Sequence, residues 1–198
     1  MRTLYPDSAD YLAVYEKYGL VGPTFSGGHG VWLSDDEFRR LSDSGAALVF
    51  CPCSNLFLGS GLFRLRVAKD KKRPIHVGLG TDIGAGTSFS LLRTSNKAYK
   101  IAALNGTPIT AFETLYLATL GGARSLGLED RIDSLEVGRE ADIVVLDPKA
   151  TPLLTFRINR SRSLDETLFV LMTLGDDRAV RATYVAGALA VASDPVDA

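Results

Sequence analysis

Histidine is scarce in this 198-residue chain, which contains only His29 and His76. A catalytic zinc site commonly takes three protein ligands, rich in histidine, together with a water molecule. The sequence therefore cannot supply a three-histidine metal site by itself. Cysteine is equally rare, and Cys51 and Cys53 stand two positions apart, a spacing that suits neither a disulfide nor a zinc finger. We expect two buried thiols in a reducing cytoplasm.

The chain also lacks long hydrophobic runs and an excess of either charge. No apolar stretch is long enough to span a bilayer, and the first residues do not resemble a signal peptide. With 22 basic and 23 acidic residues and a net charge of −1, the sequence offers no broad surface for nucleic acid or an anionic membrane. No G-K-[ST] phosphate loop is present, and the glycine-rich stretch at 78–86 lacks the third glycine of a dinucleotide motif. The sequence predicts a cytoplasmic protein without nucleic-acid or membrane partners.

What the sequence does contain is an alternation of short apolar runs with helix-like segments. The run at 46–51 is continuously apolar, which is typical of a strand buried on both faces of a parallel sheet. Strands are predicted at 24–26, 46–51 and 74–80, and helices at 8–19, 34–45, 62–72, 88–104 and from 108 onward. This order is that of successive βα units and predicts an α/β fold.

The pattern changes beyond about residue 120, where the helical part is predicted to end. The elements predicted there are strands at 141–147, 180–185 and 189–191, a tight turn at 186–188 and a helix at 163–174. Residues 148–162 are predicted to be a mobile connection interrupted by proline. We therefore divide the chain into residues 1–125, an α/β body, and residues 126–198, short β elements with a helix between them.

Two side chains stand at predicted strand ends, where ligands gather in parallel sheets. Asp82 follows an apolar run and precedes a glycine-rich turn, so it suits a metal ligand or a general base, although a capping aspartate is equally common there. His29 follows an earlier strand, where an ordinary loop histidine is the alternative. Together the two groups can share one bound water, as general acid–base catalysis requires.

Other candidates carry less weight. His76 lies within the strand before Asp82 and is interpreted as structural. Ser54 and Asn55 follow another strand end and could line a pocket through a hydroxyl and an amide group. Ser60 has no nearby base, so the sequence gives little support for a serine nucleophile.

Several motifs together resemble those of guanine deaminases in the metal-dependent amidohydrolase superfamily. They lie, in the expected order, at 29–34, 50–63, 78–86, 117–123, 138–146 and 171–178. The G-x-G-T-D and G-x-x-A-D-[IL]-V-V elements mark the superfamily. The F-L-G-S-G and T-L-G-D-D-R segments resemble guanine deaminases more narrowly.

The resemblance implies the C-terminal part of a (β/α)₈ barrel, about three βα units, with part of a small β-sandwich. It implies that Asp82 binds a single zinc ion and shuttles protons, and that His29 hydrogen-bonds the attacking water or the tetrahedral intermediate. The implied reaction is hydrolysis of guanine to xanthine and ammonia, in a protein that is a homodimer when intact. The residues that hold the purine have no counterpart in this sequence, so the substrate-binding residues are unknown.

The family's H-x-H pair and its further histidine and glutamate also have no counterpart here, in agreement with the histidine count. The chain is therefore expected to be part of a larger enzyme. Two alternatives remain open at this stage: a non-catalytic remnant or interaction module, and a deaminase or chlorohydrolase of another nitrogen heterocycle, such as a pterin or a triazine.

The histidine count generates a first prediction. Residues 1–198 alone are expected to bind zinc weakly and to show no measurable deamination, because two histidines cannot complete the metal site. Zinc content after dialysis and ammonia release from guanine are the two measurements. A preparation of this chain that retains stoichiometric zinc and releases ammonia would contradict the prediction.

Overall fold

The chain forms two three-stranded β-sheets of opposite kinds. The computed structural model describes residues 3–193. The first sheet is parallel, with the spatial order β1 (Ser26–Gly28), β2 (Ala47–Phe50), β3 (His76–Leu79). The second is antiparallel, with the order β4 (Ile143–Leu146), β5 (Val180–Val185), β6 (Ala188–Ala192). The predicted α/β class with a parallel sheet is confirmed.

Helices occupy the connections on both sides of these strands. Their bounds are α1 (Tyr11–Lys17), α2 (Asp35–Ser44), α3 (Pro52–Phe57), α4 (Leu65–Ala68), α5 (Leu91–Leu104), α6 (Ala111–Ala118), α7 (Leu120–Leu126), α8 (Pro152–Ile158) and α9 (Leu164–Leu174). Within residues 3–193, none of them has the length and apolar character needed to cross a membrane.

Polar caps define the ends of the helices between the first strands. Glu37 N donates to Ser34 Oγ at 3.2 Å while the Glu37 carboxylate accepts from Ser34 N at 2.7 Å, and the two bonds form a capping box at the start of α2. Gly45 ends α2 in the left-handed conformation, with φ 72°. Asp10 caps α1 by accepting from Ala13 N at 2.8 Å. Helix α1 therefore begins after Asp10 and not at residue 8, where the predicted helix begins.

The main core lies between the parallel sheet and the helices that cover it. Leu48, Phe50 and Val77 lie on one face of the sheet and are each at most 2% exposed. Phe50 stacks on Phe63 with 4.9 Å between the ring centroids. Burying side chains of this size stabilises the fold by about 1.5–3 kcal/mol each. This core keeps the three strands parallel and their carboxyl ends at one edge.

A two-residue turn joins β5 and β6 of the second sheet. Ala186 and Gly187 have φ angles of 49° and 81°, which is typical of the type I′ turns that join tight hairpins. Asp142, just before β4, holds this turn through a 2.7 Å hydrogen bond in which its carboxylate accepts from Ala186 N. The strands and the turn predicted for residues 180–191 are therefore confirmed, with β6 slightly longer than expected.

Helix α9 packs against α5, α6 and α8. Phe169 packs edge-on against Tyr99 of α5 with 5.4 Å between the ring centroids. Asn96 of α5 donates from Nδ2 to the Thr173 carbonyl at 2.8 Å. A smaller core of Leu154, Val170 and Leu171 lies beneath α8 and α9. The proposed division at residue 125 stays a prediction, because α9 lies after this residue and packs against helices that lie before it, such as α5.

Two helices that the sequence reading missed begin with proline. Pro52 is the first residue of α3, and Pro152 is the first residue of α8, where Leu154 N donates to Thr151 Oγ1 at 3.2 Å. A first-turn proline costs a helix nothing, because its missing N–H has no acceptor there. The predicted mobile connection at 148–162 was therefore wrong. In both places the proline begins a helix instead of interrupting regular structure.

Other boundaries differ from the predictions for local reasons. The helix predicted at 62–72 is reduced to the four residues of α4, since no side chain caps its start. Strand β1 covers Ser26–Gly28 rather than 24–26, because its glycines pair with β2 despite their low strand propensity. The helical part, which was expected to end with residues 121–127, ends with α7 and its cap at Gly127.

Helix α7 contains Gly121 and Gly122 because it packs directly on β3. A Cβ atom on Gly121 would lie 2.8 Å from the Val77 carbonyl oxygen and 2.8 Å from the Tyr116 carbonyl oxygen. A Cβ atom on Gly122 would meet only the Leu117 oxygen, at 4.0 Å. The backbone of α7 and the strand that leads to Asp82 therefore approach each other without a side chain between them.

This contact generates a matched pair of predictions. Gly121→Ala is expected to lower the free energy of unfolding by about 1–3 kcal/mol, because the new methyl group meets backbone that cannot move aside. Gly122→Ala is expected to be neutral or to stabilise by up to about 1 kcal/mol through higher helix propensity. Urea unfolding of the two variants makes the comparison, and equal stabilities would contradict the assigned packing.

Candidate active site at the carboxyl edge of the parallel sheet

The three parallel strands bring three chemically useful side chains to one edge. His29 follows β1, Cys51 follows β2, and Asp82 stands three residues after β3. The ladder continues past the strand ends, since His29 N donates to the Val49 carbonyl at 3.0 Å and Gly80 N to the Phe50 carbonyl at 2.9 Å. The positions of the side chains are thus set by backbone pairing rather than by a free loop.

His29 and Asp82 face each other across this edge. His29 Nε2 lies 3.7 Å from Asp82 Oδ2, and the two side chains are 43% and 37% exposed. Both residues have left-handed backbone conformations, with φ 68° for His29 and 50° for Asp82. Such conformations are uncommon outside glycine and turn each side chain away from the direction that a continuing strand would give it. The predicted proximity of these two residues is confirmed, whereas their catalytic roles stay predictions.

The loop after Asp82 is closed by Gly86. Gly86 N donates to the Asp82 carbonyl, and a Cβ atom at Gly86 would lie 1.8 Å from the Thr81 carbonyl oxygen. Only glycine fits such a close backbone approach. Within residues 3–193 the Asp82 carboxylate accepts no hydrogen bond, so the loop presents it without occupying it. That arrangement leaves both carboxylate oxygens available to a ligand.

Asn55 supports the other side of His29. Its side chain is 1% exposed, and its Oδ1 lies 2.8 Å from His29 Nδ1. Asn55 Nδ2 and the neighbouring Ser54 Oγ are buried and have no hydrogen-bond partner among the described residues. A buried polar group without a partner costs about 1–3 kcal/mol. The sequence suggested that Ser54 and Asn55 line a pocket, but α3 buries both, because Pro52 starts a helix directly after β2.

Cys51 lies beneath the pair as a buried thiol. Burial, and after it the negative charge of Asp82, raises the pKa of Cys51 to about 11. The thiol is therefore protonated at neutral pH, unlike a metal-binding thiolate. Cys53 is also buried, and its Sγ lies 3.7 Å from Thr94 Oγ1. Both cysteines are free, which confirms the prediction of two buried thiols.

The donor types at this edge suit zinc, but they are too few. An imidazole nitrogen and a carboxylate are usual zinc ligands, and a catalytic site takes three protein ligands. No group of three histidine, cysteine, aspartate or glutamate side chains in residues 3–193 could hold a metal ion. His76 is exposed at the start of β3, the end opposite Asp82, so it does not join them. The structure thus agrees with its interpretation as a residue outside the site.

A cavity of about 530 Å³ lies on the outer side of β1, between α1 and α2. Its lining includes Tyr11, Tyr15, Phe25 and His29, with Glu37 beneath. Glu37 is already bonded to the α1 backbone, accepting from Leu12 N at 3.1 Å. The cavity reaches His29 but not Asp82, so it is a neighbour of the pair rather than a pocket between the two residues.

Comparison with known proteins shows the family to which the chain belongs. The model of the Amidohydrolase family matches residues 4–190. The chain belongs to the amidohydrolase family. It is 53% identical over 189 residues to the guanine deaminase of Escherichia coli K12, an alignment that covers 96% of this chain and 43% of the relative. The chain thus spans less than half the length of that curated relative.

Solved structures give the same result for the fold. The E. coli guanine deaminase structure superposes with a TM-score of 0.94 at 52% identity, covering 98% of this chain and 45% of the other. Guanine deaminase from C. acetobutylicum, solved with bound guanine, gives 0.82 at 28% identity, with 95% and 44% covered. An adenosine deaminase from Xanthomonas campestris with bound zinc gives 0.80 at 27% identity, with 96% and 42% covered. The resemblance to guanine deaminases found in the sequence is confirmed.

The Cys51 thiol generates a prediction about stability at high pH. Its pKa is about 11 in the fold against an ordinary value of 9.0, so the thiol favours the folded state below pH 9. Between these values the unfolded thiol ionises first, and the free energy of unfolding falls by up to about 1.4 kcal/mol per pH unit.

Urea unfolding between pH 8 and 11, about the range that spans both pKa values, measures this effect. Cys51→Ala should show a shallower loss of stability above pH 9, because it lacks the buried thiol. Asp82→Asn should give an intermediate slope, because it removes the charge that raises the thiol pKa. Parallel curves for all three proteins would disprove the assigned coupling.

Proposed function

We propose that this chain forms part of the active site of a zinc-dependent guanine deaminase, which hydrolyses guanine to xanthine and ammonia. The observation that carries the proposal is the apposition of His29 and Asp82, 3.7 Å apart at the carboxyl edge of a parallel sheet. Membership of the amidohydrolase family and the 53% identity to the E. coli enzyme support guanine as the substrate. The reaction adds a water molecule to the amidine carbon of guanine and releases ammonia.

Asp82 and His29 have distinct roles in this proposal. Asp82 is a metal ligand, and its second carboxylate oxygen accepts a proton from the attacking water and later delivers it to the leaving amine. His29 Nε2 holds the attacking water or the developing tetrahedral centre by a hydrogen bond. A zinc ion bound at this edge would lower the pKa of the water molecule that it binds. The exposure of both side chains leaves them accessible to a small substrate.

The remaining metal ligands and the purine-binding groups come from outside residues 1–198 in this proposal. Two donors at the edge are too few for a catalytic zinc site, and the relative with 53% identity is covered over only 43% of its length. The zinc-bound adenosine deaminase structure supports the choice of metal. The guanine-bound structure of the C. acetobutylicum enzyme supports the choice of substrate.

The finer architecture follows from the same comparison. We assign β1, β2 and β3 with their helices to about three βα units of a (β/α)₈ barrel, and β4, β5 and β6 to part of a β-sandwich. The parallel order of the first sheet and the antiparallel order of the second support this assignment. Residues 1–125 and 126–198 are the corresponding parts. A homodimeric, cytoplasmic enzyme is the proposed setting.

A chimeric enzyme tests the proposal. Residues 1–198 replace the aligned segment of the E. coli guanine deaminase, and the rest of that enzyme is kept. The chimera is expected to bind zinc and convert guanine to xanthine, followed by the change in ultraviolet absorbance. Zinc binding without guanine turnover, or turnover of a triazine or a pterin instead, would refute guanine as the substrate.

Substitutions in the chimera test the residue roles. Asp82→Asn should lower kcat/KM by about 10³-fold or more, because it removes a metal ligand and the proton acceptor. His76→Gln is the matched control, since His76 is exposed at the other end of β3, and its effect should be within a few-fold. Equal losses for the two variants would contradict the assigned roles.

A further inference from the structure

Asn55 is a buried amide whose side chain bonds to His29 of the candidate site. It lies on α3, directly after β2, and its side chain is 1% exposed. Its Oδ1 is 2.8 Å from His29 Nδ1, a short and well-formed hydrogen bond. Its Nδ2 has no partner among the described residues. The amide therefore has one side-chain interaction within residues 3–193, and that interaction is with His29.

We infer that Asn55 is a positioning residue that holds His29 in its Nδ1–H tautomer and aims Nε2, as a hydrogen-bond acceptor, at the space beside Asp82. An amide oxygen can only accept, so the proton of the bond must be on Nδ1. A neutral imidazole carries one proton, and Nε2 is then left with a lone pair. The hydrogen bond on one ring nitrogen thus sets the function of the other.

The separation of His29 from Asp82 supports this tautomer. An N–H group on Nε2 facing a carboxylate would close to about 2.7–2.9 Å as a charge-assisted bond. The observed distance of 3.7 Å is too long for such a bond. It instead fits two acceptors that face a common space, which a proton donor or a cation can occupy.

The backbone of Asn55 is fixed well enough to orient a ring. Asn55 N donates to the Cys51 carbonyl at 3.0 Å, and its own carbonyl accepts from Ser60 N at 2.9 Å. The first of these bonds anchors α3 to the end of β2, whose next neighbour is β1. The amide follows the end of β2 and the imidazole follows the end of β1. Because these two strands pair, the pairing sets the relative position of the two side chains.

The consequence for catalysis rests on the proposed function. In the Nδ1–H tautomer, Nε2 accepts a hydrogen bond from the attacking water while Asp82 lies on the other side of the same space. The opposite tautomer would present an N–H group to the Asp82 carboxylate and could not accept from water. Asn55 acts on the reaction only through His29 and does not itself touch the reacting atoms.

Nitrogen NMR of the full 198-residue chain tests the inference without substrate or metal. The chain has only two histidines, so His76→Gln identifies the His29 ring signals. At about pH 8.5, well above the ordinary imidazole pKa of about 6.5, long-range proton–nitrogen spectra show which ring nitrogen carries the proton. His29 is expected as the Nδ1–H form, which is the minor form of a free histidine. A dominant Nε2–H form in the wild-type chain overturns the inference.

Three variants separate positioning from general packing. Asn55→Asp keeps an acceptor at the same place and should keep the Nδ1–H tautomer. Asn55→Leu has nearly the same shape without an acceptor and should shift His29 towards the Nε2–H form. Asn96→Leu removes another partly buried amide, bonded to Thr173, and should leave the His29 spectrum unchanged. Retention of the Nδ1–H form in Asn55→Leu would also overturn the inference.

This experiment is independent of the chimera. A wild-type Nδ1–H form together with an inactive chimera would count against guanine deamination but not against the positioning by Asn55. An active chimera together with a wild-type Nε2–H form would support guanine deamination and count against the positioning by Asn55.

Discussion

Parallel pairing of β2 with both of its neighbours is the interaction on which the rest of this structure depends. The strands are only three or four residues long, yet their backbone bonds continue to His29 and Gly80, beyond the assigned ends. Because all three strands run in the same direction, the residues that follow them meet at one edge. A histidine and an aspartate that are distant in sequence thereby come to lie within 3.7 Å of each other.

The surroundings of this pair combine close packing with incomplete hydrogen bonding. Gly121 lets α7 approach β3 at backbone distance, and Gly86 closes the turn that presents Asp82. Asn55 and Ser54, in contrast, retain buried polar atoms without partners in residues 3–193, which lowers stability. Groups of this kind are more easily explained by a task at the site than by the needs of the core. The turn at Gly86 and the unpaired groups of Ser54 and Asn55 lie at the same edge of the sheet.

Part of this arrangement could be predicted from the sequence, and the reasons are physical. The apolar run before Cys51 and the capping box at Ser34 each have a local cause, so the strand and the helix were found close to their true bounds. The proximity of His29 and Asp82 followed from the rule about parallel strand ends. Helices α3 and α8 were missed because proline is ambiguous between a helix start and a break. The bond from Asn55 to His29 joins α3 to the residue that follows β1, 26 positions earlier in the chain, and no local pattern encodes such a contact.

The two aspartates of the superfamily motifs, Asp82 and Asp142, have unlike environments. Asp82, in the G-x-G-T-D element, presents a carboxylate that accepts no hydrogen bond from residues 3–193. Asp142, in the G-x-x-A-D element, accepts from Ala186 N at 2.7 Å and fastens the hairpin turn of the second sheet. In the sequence alone, both aspartates mark the same superfamily. In the folded molecule, one aspartate fastens a hairpin turn and the other presents a carboxylate that is open to a ligand, so the same letter in two motifs has two different structural roles.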